Sequence, residues 1–326
     1  MFVFMLQPNE LKLNLPMQVG NGVISTTTKV WDILVASKNG DLDAVKKLVE
    51  ECPELIYAQY NYTPPIHFAV REGHLDLVKF LLGHGAHDPG YKIYPFQERL
   101  EIIAEDRGYN AIGSLLNQYA NDPAAQKYKG DNGAIHYNRT AMQQEFEKNV
   151  YEGNLKDTEQ ILKQHPEFAL DETWFWGEGI LTFAAKENNR EMIELLMSRG
   201  AKVPRIIKWA QFYYFERYDA ASFMLEKGMD PNTMSWHHVS LLHDMAQKGD
   251  IKKAELLIKY GAIIDAIDEE YQSTPLGMAA RWGHLEMVKY LLIQGADKNK
   301  AGASWATPLV WAKKKGHNEI EKILFD

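Results

Sequence analysis

Cysteine is nearly absent from this sequence, since Cys52 is the only one among 326 residues. A single cysteine excludes an internal disulfide bond, and we therefore expect a reducing, cytoplasmic location. Long apolar runs are also missing. The first six residues, MFVFML, are apolar but lack a basic stretch and are too short for a secretory or membrane-spanning segment, so we expect no membrane insertion.

Positive charge is scarce as well: 36 Lys and Arg against 44 Asp and Glu give a formal net charge of −8. Because proteins bind the nucleic-acid backbone through an excess of Lys and Arg, this balance argues against nucleic acid as the main partner, although a local basic patch remains compatible with it. The sequence has no phosphate-binding glycine loop, no HExxH and no CxxC. We expect no bound cofactor and no metal ion.

The organisation of the chain is clearest in residues 274–299, TPLGMAARWGHLEMVKYLLIQGADKN. A Thr-Pro pair at Thr274 begins a helix that Gly283 ends, and apolar residues at helical spacing then continue to Gly295. This stretch resembles the ankyrin repeat, whose pattern is a TPLH-like turn, two antiparallel helices and a closing G-A-D loop. Gly277 stands where the family usually has His.

The same unit recurs along the chain. When the copies are aligned on the residue between their two helices, most steps are 33 to 35 residues, which is the ankyrin period. One step is shorter, 28 residues, and one is longer, 45 residues. The resemblance implies an all-α solenoid of about nine helix-turn-helix units, a curved stack with a concave groove. The aligned residues are Gly40, Gly73, Gly108, Gly153, Asn188, Glu216, Gly249, Gly283 and Gly316.

The irregular steps predict the domain organisation. We expect an ankyrin block of three repeats at 28–118 and a block of six repeats at 143–326, preceded by an N-terminal tail or partial cap at 1–27. Residues 119–142 are polar and rich in Gly, Pro and Asn, and they are expected to form a linker or an insertion. The copy around Glu216 has no TPLH-like turn, so we expect its finger to be trimmed.

In the ankyrin family, the β-turn fingers and the exposed side of the first helices form the concave binding surface. We call "inner face" the finger turns, the two residues before each inter-helix glycine, and the residue one helical turn earlier. Tyr151, Phe183, Lys314 and Lys315 belong to it.

Aromatic residues gather on this predicted surface. Either they pack between adjacent fingers, or they form an exposed cluster that binds a protein or peptide partner. We favour the second interpretation. The predicted binding residues are Tyr60, Tyr62, Trp174, Trp176, Tyr214, Phe215, Trp236, Tyr271, Arg281, Trp282 and Trp305.

A second cluster overlaps the first. His237 and His238 lie in one finger, Asp244 follows them, and Glu269 and Glu270 lie in the next finger. Imidazole and carboxylate groups that move protons would suit a pocket for a small polar ligand, such as a sugar, with hydrolase or lyase chemistry. The plainer alternative is a set of solvated finger tips. We favour a non-catalytic, monomeric interaction module.

Two histidines are expected to be structural. His67 and His243 fall on the His of the TPLH pattern, which the family uses to tie one turn to the next. Asp244 follows His243 directly, at a place that the family normally fills with an apolar residue.

Overall fold

The computed structural model describes residues 7–8, 11–128, 139–203 and 215–325, and most of these residues are helical. Side chains at 175 and 176 are outside the description. Helices follow one another in pairs, and eight of the nine aligned residues between paired helices have a positive φ, from 54° to 82°. This left-handed conformation favours glycine, and Asn188 is the one non-glycine residue that adopts it there. Glu216 does not adopt it.

The chain divides into two compact units, Met1–Tyr137 and Asn138–Asp326. In the described part of the first unit, a two-stranded hairpin precedes paired α-helices, and a 3₁₀ helix at Pro53–Tyr57 follows the first pair. The strands and α-helices are β1 (Pro16–Gly20), β2 (Val23–Thr26), α1 (Thr27–Asn39), α2 (Leu42–Glu51), α3 (Pro65–Arg71), α4 (Leu75–Gly83), α5 (Leu100–Asp106) and α6 (Asn110–Asn121).

The hairpin is a difference from the predicted all-α architecture. Strands β1 and β2 pair in antiparallel fashion around Asn21 and Gly22, both of which have positive φ. Met17 and Val19 are fully buried, and Gly20 lies against the Tyr57 ring. The hairpin thus packs on the 3₁₀ helix that follows the first helix pair.

Part of the polar stretch after α6 packs against the rest of the first unit. The Tyr128 ring stacks on the Tyr57 ring at a centroid distance of 4.2 Å, and the Tyr128 N–H donates to the Gly85 carbonyl at 3.0 Å. The Tyr119 hydroxyl lies within hydrogen-bonding distance of two carbonyl oxygens, those of His87 and Gln126. These contacts hold residues up to Tyr128 against the loop that ends the second repeat.

In the described part of the second unit, the core lies between successive helix pairs. Short 3₁₀ helices occur at Pro166–Ala169 and Ser304–Ala306. The α-helices are α7 (Ala141–Glu152), α8 (Leu155–Gln164), α9 (Trp174–Gly177), α10 (Leu181–Lys186), α11 (Arg190–Ser198), α12 (Tyr218–Glu226), α13 (Leu241–Lys248), α14 (Ile251–Lys259), α15 (Pro275–Trp282), α16 (Leu285–Ile293), α17 (Pro308–Lys315) and α18 (Asn318–Phe325).

Two fingers of the second unit are special cases. The finger that begins at Trp174 forms a helical turn, α9, where the sequence suggested a β-turn. The first helix of the copy around Glu216, and with it the predicted trimming of its finger, falls on residues 204–214, which lie outside the described residues.

A ring from one repeat lies over the inter-helix glycine of the repeat before it. Nε2 of His74 lies 2.8 Å from the Lys38 carbonyl oxygen, and a Cβ added to Gly40 would lie 2.5 Å from Nδ1 of the same ring. His284 and His317 repeat this arrangement in the second unit, at 2.6 and 3.1 Å from their carbonyl oxygens. The glycine therefore allows both the left-handed backbone and the close approach of the next repeat.

Candidate functional site

Several predicted binding residues are buried. Tyr60 is 1% exposed, and Trp174, Phe215 and Tyr271 are fully buried. Arg281 is 4% exposed. These side chains offer almost no surface to a partner, because their rings and the guanidinium are taken up by packing.

Trp174 shows what such a buried ring does. Its indole N–H donates to the Phe168 carbonyl at 2.7 Å, and the Arg139 guanidinium lies over its ring at 4.0 Å. Arg139 also donates to the Asp171 carboxylate and the Thr173 hydroxyl, both at 2.9 Å. Burial raises the pKa of Asp171, but hydrogen bonds from Thr173 and Arg139 outweigh it and leave the pKa below its usual value. Sequence reasoning missed Arg139, since a lone arginine in a polar stretch gives no signal.

Four predicted residues keep part of their ring exposed. Tyr62 is 37% exposed, and Trp236, Trp282 and Trp305 are half-buried. Tyr214 lies outside the described residues, as does the side chain of Trp176.

Helices α15 and α17 bring together an aromatic–basic cluster, which we define as Arg281, Lys314 and Lys315 with the three rings that contact them and Trp305, whose ring contacts that of Trp311. The Arg281 guanidinium lies 4.4 Å from the Tyr271 ring and 4.0 Å from the Trp282 ring. Cation–π attraction is effective at these distances. The rings of the cluster are Tyr271, Trp282, Trp305 and Trp311, which contact one another edge to face.

The predicted histidine–carboxylate cluster forms two parallel pairs between neighbouring fingers. Nδ1 of His237 lies 3.2 Å from the Glu270 carboxylate, and Nδ1 of His238 lies 3.3 Å from that of Glu269. The first pair is buried and the second is partly exposed. The Glu269 N–H also donates to the His237 carbonyl at 2.9 Å, so these contacts tie one finger to the next.

Asp244 is directed elsewhere. Its carboxylate is fully buried and accepts from the Lys248 ammonium at 2.9 Å, one helical turn along α13. Burial raises the pKa of Asp244, while the Lys248 charge lowers it. The Asp244 carboxylate therefore bonds within its own helix.

Two buried groups near these fingers have shifted pKa values. Nε2 of His243 lies 3.2 Å from the Ser273 carbonyl and Nδ1 lies 2.7 Å from the Ser240 hydroxyl, so His243 ties one finger to the next. Burial lowers its pKa to about 4. Burial raises the pKa of Asp268 to about 7, although the carboxylate accepts hydrogen bonds from the backbone N–H groups of Tyr271 and Ser273. His67 contacts the Tyr91 hydroxyl at 3.0 Å.

The comparison with known families agrees with the repeat spacing. The family model for ankyrin repeats (3 copies) matches residues 29–126 and 210–302, together more than half of the chain. This chain belongs to the ankyrin repeat family. Among the described residues, every helix is too short or too polar to span a bilayer.

Curated relatives match over short segments. Palmitoyltransferase ZDHHC13 of Mus musculus is 39% identical over 92 residues, which are 28% of this chain and 14% of that protein. Palmitoyltransferase ZDHHC17 of Danio rerio is 37% identical over 92 residues, again 28% of this chain and 14% of that protein. Ankyrin repeat and KH domain-containing protein CBG24701 of Caenorhabditis briggsae is 29% identical over 157 residues, 46% of this chain and 6% of that protein. The chain thus spans only a small part of each of these three relatives.

Proposed function

We propose that this chain is a non-catalytic interaction module that binds a protein or peptide segment along a concave groove lined by its inner face. We propose about nine repeats, in a block of three at 28–118 and a block of six at 143–326, with 1–27 as a tail or partial cap and 119–142 as a linker or insertion. Membership of the ankyrin family supports this proposal, because such arrays bind partners on extended concave surfaces.

The observation that carries the proposal is the exposed ring of Tyr151, which is 57% exposed at an inner-face position of α7. It contacts the Phe183 ring of α10 edge to face at 5.6 Å. A tyrosine braced by a second ring offers a large contact area at little cost in conformational entropy. Together with the part-exposed Tyr62, Trp236 and Trp282, it supplies aromatic surface in several repeats.

The module is proposed to act in the cytoplasm, because its one cysteine suits a reducing compartment. It is proposed to act as a monomer. The proposal for this chain does not include the transferase activity that the names of the mouse and zebrafish relatives state, because the matched segment is 14% of those proteins. We propose a protein or peptide as partner and neither a membrane nor a nucleic acid.

A lysate experiment tests this function. The full chain is immobilised, exposed to cell lysate and washed, and the retained proteins are quantified by mass spectrometry. We expect a specific set of proteins whose retention falls by about tenfold in the Tyr151→Ala variant and in the Trp236→Ala, Trp282→Ala double variant.

The matched control is Ile293→Ala, which removes a side chain that is 80% exposed at the end of the second helix α16, off the inner face. It should retain the same proteins as the wild type. Equal retention by the ring variants and the wild type would count against binding through the inner face.

The alternative, a carbohydrate or small-ligand pocket with hydrolase or lyase chemistry at His237, His238, Asp244, Glu269 and Glu270, stays a prediction. A glycan array decides it: saturable binding that His238→Ala abolishes would replace the interaction module with this pocket.

A further inference from the structure

The first helices of the last two repeats carry charge of one sign. Helix α15 has Arg281 and no acidic residue, and α17 ends in Lys313, Lys314 and Lys315, also with no acidic residue. The whole chain, by contrast, has a formal net charge of −8. These two helices are therefore basic in a chain that is acidic as a whole. The carboxylates of the finger before α15 are engaged within the fingers, Asp268 with backbone N–H groups and Glu269 and Glu270 with the two histidines.

The aromatic rings hold this charge in place. Lys314 and Lys315 have their ammonium groups 5.6 and 6.0 Å from the centroid of the Trp311 ring, and the Arg281 guanidinium lies 5.3 Å from the same centroid. Trp311 itself is fully buried, and its indole N–H donates to the Ser273 hydroxyl at 3.1 Å. The three cations are thus gathered around one fixed ring.

Exposure separates the parts of the cluster. Lys314 is exposed and Lys315 is half-buried, while Trp282 and Trp305 are half-buried and keep part of their rings accessible. Arg281 is buried against three rings, so it positions them and does not itself offer a contact surface.

We propose that the aromatic–basic cluster recognises an acidic peptide segment, with Asp or Glu side chains against Lys314 and Lys315 and an apolar or aromatic side chain against Trp282 and Trp305. This deepens the proposed function and rests on it. Charge complementarity selects the acidic partner. A nucleic acid fits less well, because its affinity depends on many phosphate contacts and the cluster offers two lysines.

The test is a selection from a displayed library of random linear peptides on the full chain. We expect the enriched peptides to carry an excess of Asp and Glu next to an apolar or aromatic residue. Their affinity, measured by fluorescence anisotropy, should fall by about tenfold in the Lys314→Glu, Lys315→Glu variant, and should also fall as salt is raised. The neutral Lys314→Gln, Lys315→Gln variant should give a smaller loss in the same direction.

The matched control is Lys252→Glu, Lys300→Glu, which reverses two exposed lysines outside the cluster and should change affinity less than about twofold. Thermal unfolding of each variant shows that the fold is kept.

Enriched peptides without acidic residues would overturn this inference and leave the interaction module standing. Failure to enrich any peptide would overturn this inference, and the lysate experiment then decides the interaction module separately. Tight binding of a single-stranded oligonucleotide that the Lys314→Glu, Lys315→Glu variant abolishes would overturn the inference in favour of nucleic acid.

Discussion

Gly277, in α15, is a residue whose missing side chain has a clear structural reason. An added Cβ would lie 1.9 Å from the Ser273 hydroxyl oxygen. That hydroxyl is fixed, because it donates to the Ala306 carbonyl at 3.0 Å and accepts from the Trp311 indole at 3.1 Å. Glycine therefore makes room for a buried contact between two repeats.

Gly277→Ala should lower the free energy of unfolding by about 1–3 kcal/mol, because overpacking outweighs the higher helix propensity of alanine. Urea denaturation measures this change. The matched control is Gly83→Ala, at the helical end of α4, where a Cβ meets no atom within 4 Å. There the free energy of unfolding should rise by up to about 1 kcal/mol. An equal effect at both sites would contradict the role of Ser273.

His243 gives a prediction on pH. Burial lowers the pKa of this imidazole to about 4 in the folded chain, against its ordinary value of 6.5. The neutral ring then contributes stability that is fully present above the unfolded pKa and is lost as pH falls from 6.5 towards 4. Between pH 7 and pH 5 this imidazole alone should remove about 2 kcal/mol from the free energy of unfolding. The raised pKa of Asp268 acts in the opposite direction over the same range, so the His243 contribution is the difference between the wild type and a His243 variant, measured by urea denaturation at each pH.

The His243→Gln variant isolates this effect, since the other groups titrate in both proteins. Its loss of stability between pH 7 and pH 5 should be smaller than that of the wild type by most of this amount. The exposed His84, replaced by Gln, is the control and should keep the wild-type dependence. A His243→Gln variant with the full acid sensitivity would show that other groups cause it.

At the residue scale, the sequence indicated which positions carry rings but not which rings are exposed. Tyr60 and Tyr271 are buried, whereas Tyr62 and Trp282 are partly exposed, although all four belong to the predicted inner face. Exposure depends on the neighbouring helices and fingers in three dimensions, and residue type alone does not report it.

At the scale of elements, the sequence predicted where helices end but did not predict the hairpin. A threonine N-cap and a glycine C-cap bound both α15 and α17, as expected from their TPL turns and inter-helix glycines. The hairpin also has a sequence signal, since Asn21 and Gly22 form the favoured two-residue turn between strands. The helical periodicity that identifies the repeats does not report a strand pair, whose side chains alternate every two residues.

The Arg139 side chain ties the segment before α7 to the next repeat, and its removal tests that element. Arg139→Lys should lower the free energy of unfolding by about 1–2 kcal/mol, because lysine cannot contact Asp171 and Thr173 together while stacking on Trp174. Thermal and urea denaturation measure the change. Lys148→Ala, at a side chain that is 69% exposed on α7, is the control and should stay within about 0.5 kcal/mol of the wild type. Equal stabilities of all three proteins would show that the Arg139 contacts are not stabilising.

At the scale of the whole molecule, the TPL turn of residues 274–299 and the spacing of its copies together predicted the family. A recurrence of 33 to 35 residues identifies a repeat because each unit must bury its apolar face against the next at a constant step. The 45-residue step between Gly108 and Gly153 spans the boundary of the two compact units. Spacing could not reveal the partner, because the period records contacts between repeats and not contacts with another molecule.

The fragment of residues 138–326 should fold by itself, since it forms a compact unit with its own core. We expect helical circular dichroism and a cooperative thermal transition from the isolated fragment. A second fragment that starts at Gln143, and so lacks Arg139 and the Thr140 cap of α7, should unfold at a lower temperature. A disordered 138–326 fragment would contradict this expectation.

A ring of one repeat contacts the glycine of the preceding repeat, so the residues that adjacent copies can carry at these two positions depend on each other. His284 fits over Gly249 only while that position lacks a side chain, and His317 depends on Gly283 in the same way. A repeat moved into another array must therefore be accompanied by a compatible neighbour. The unit that can be exchanged is the junction between two copies.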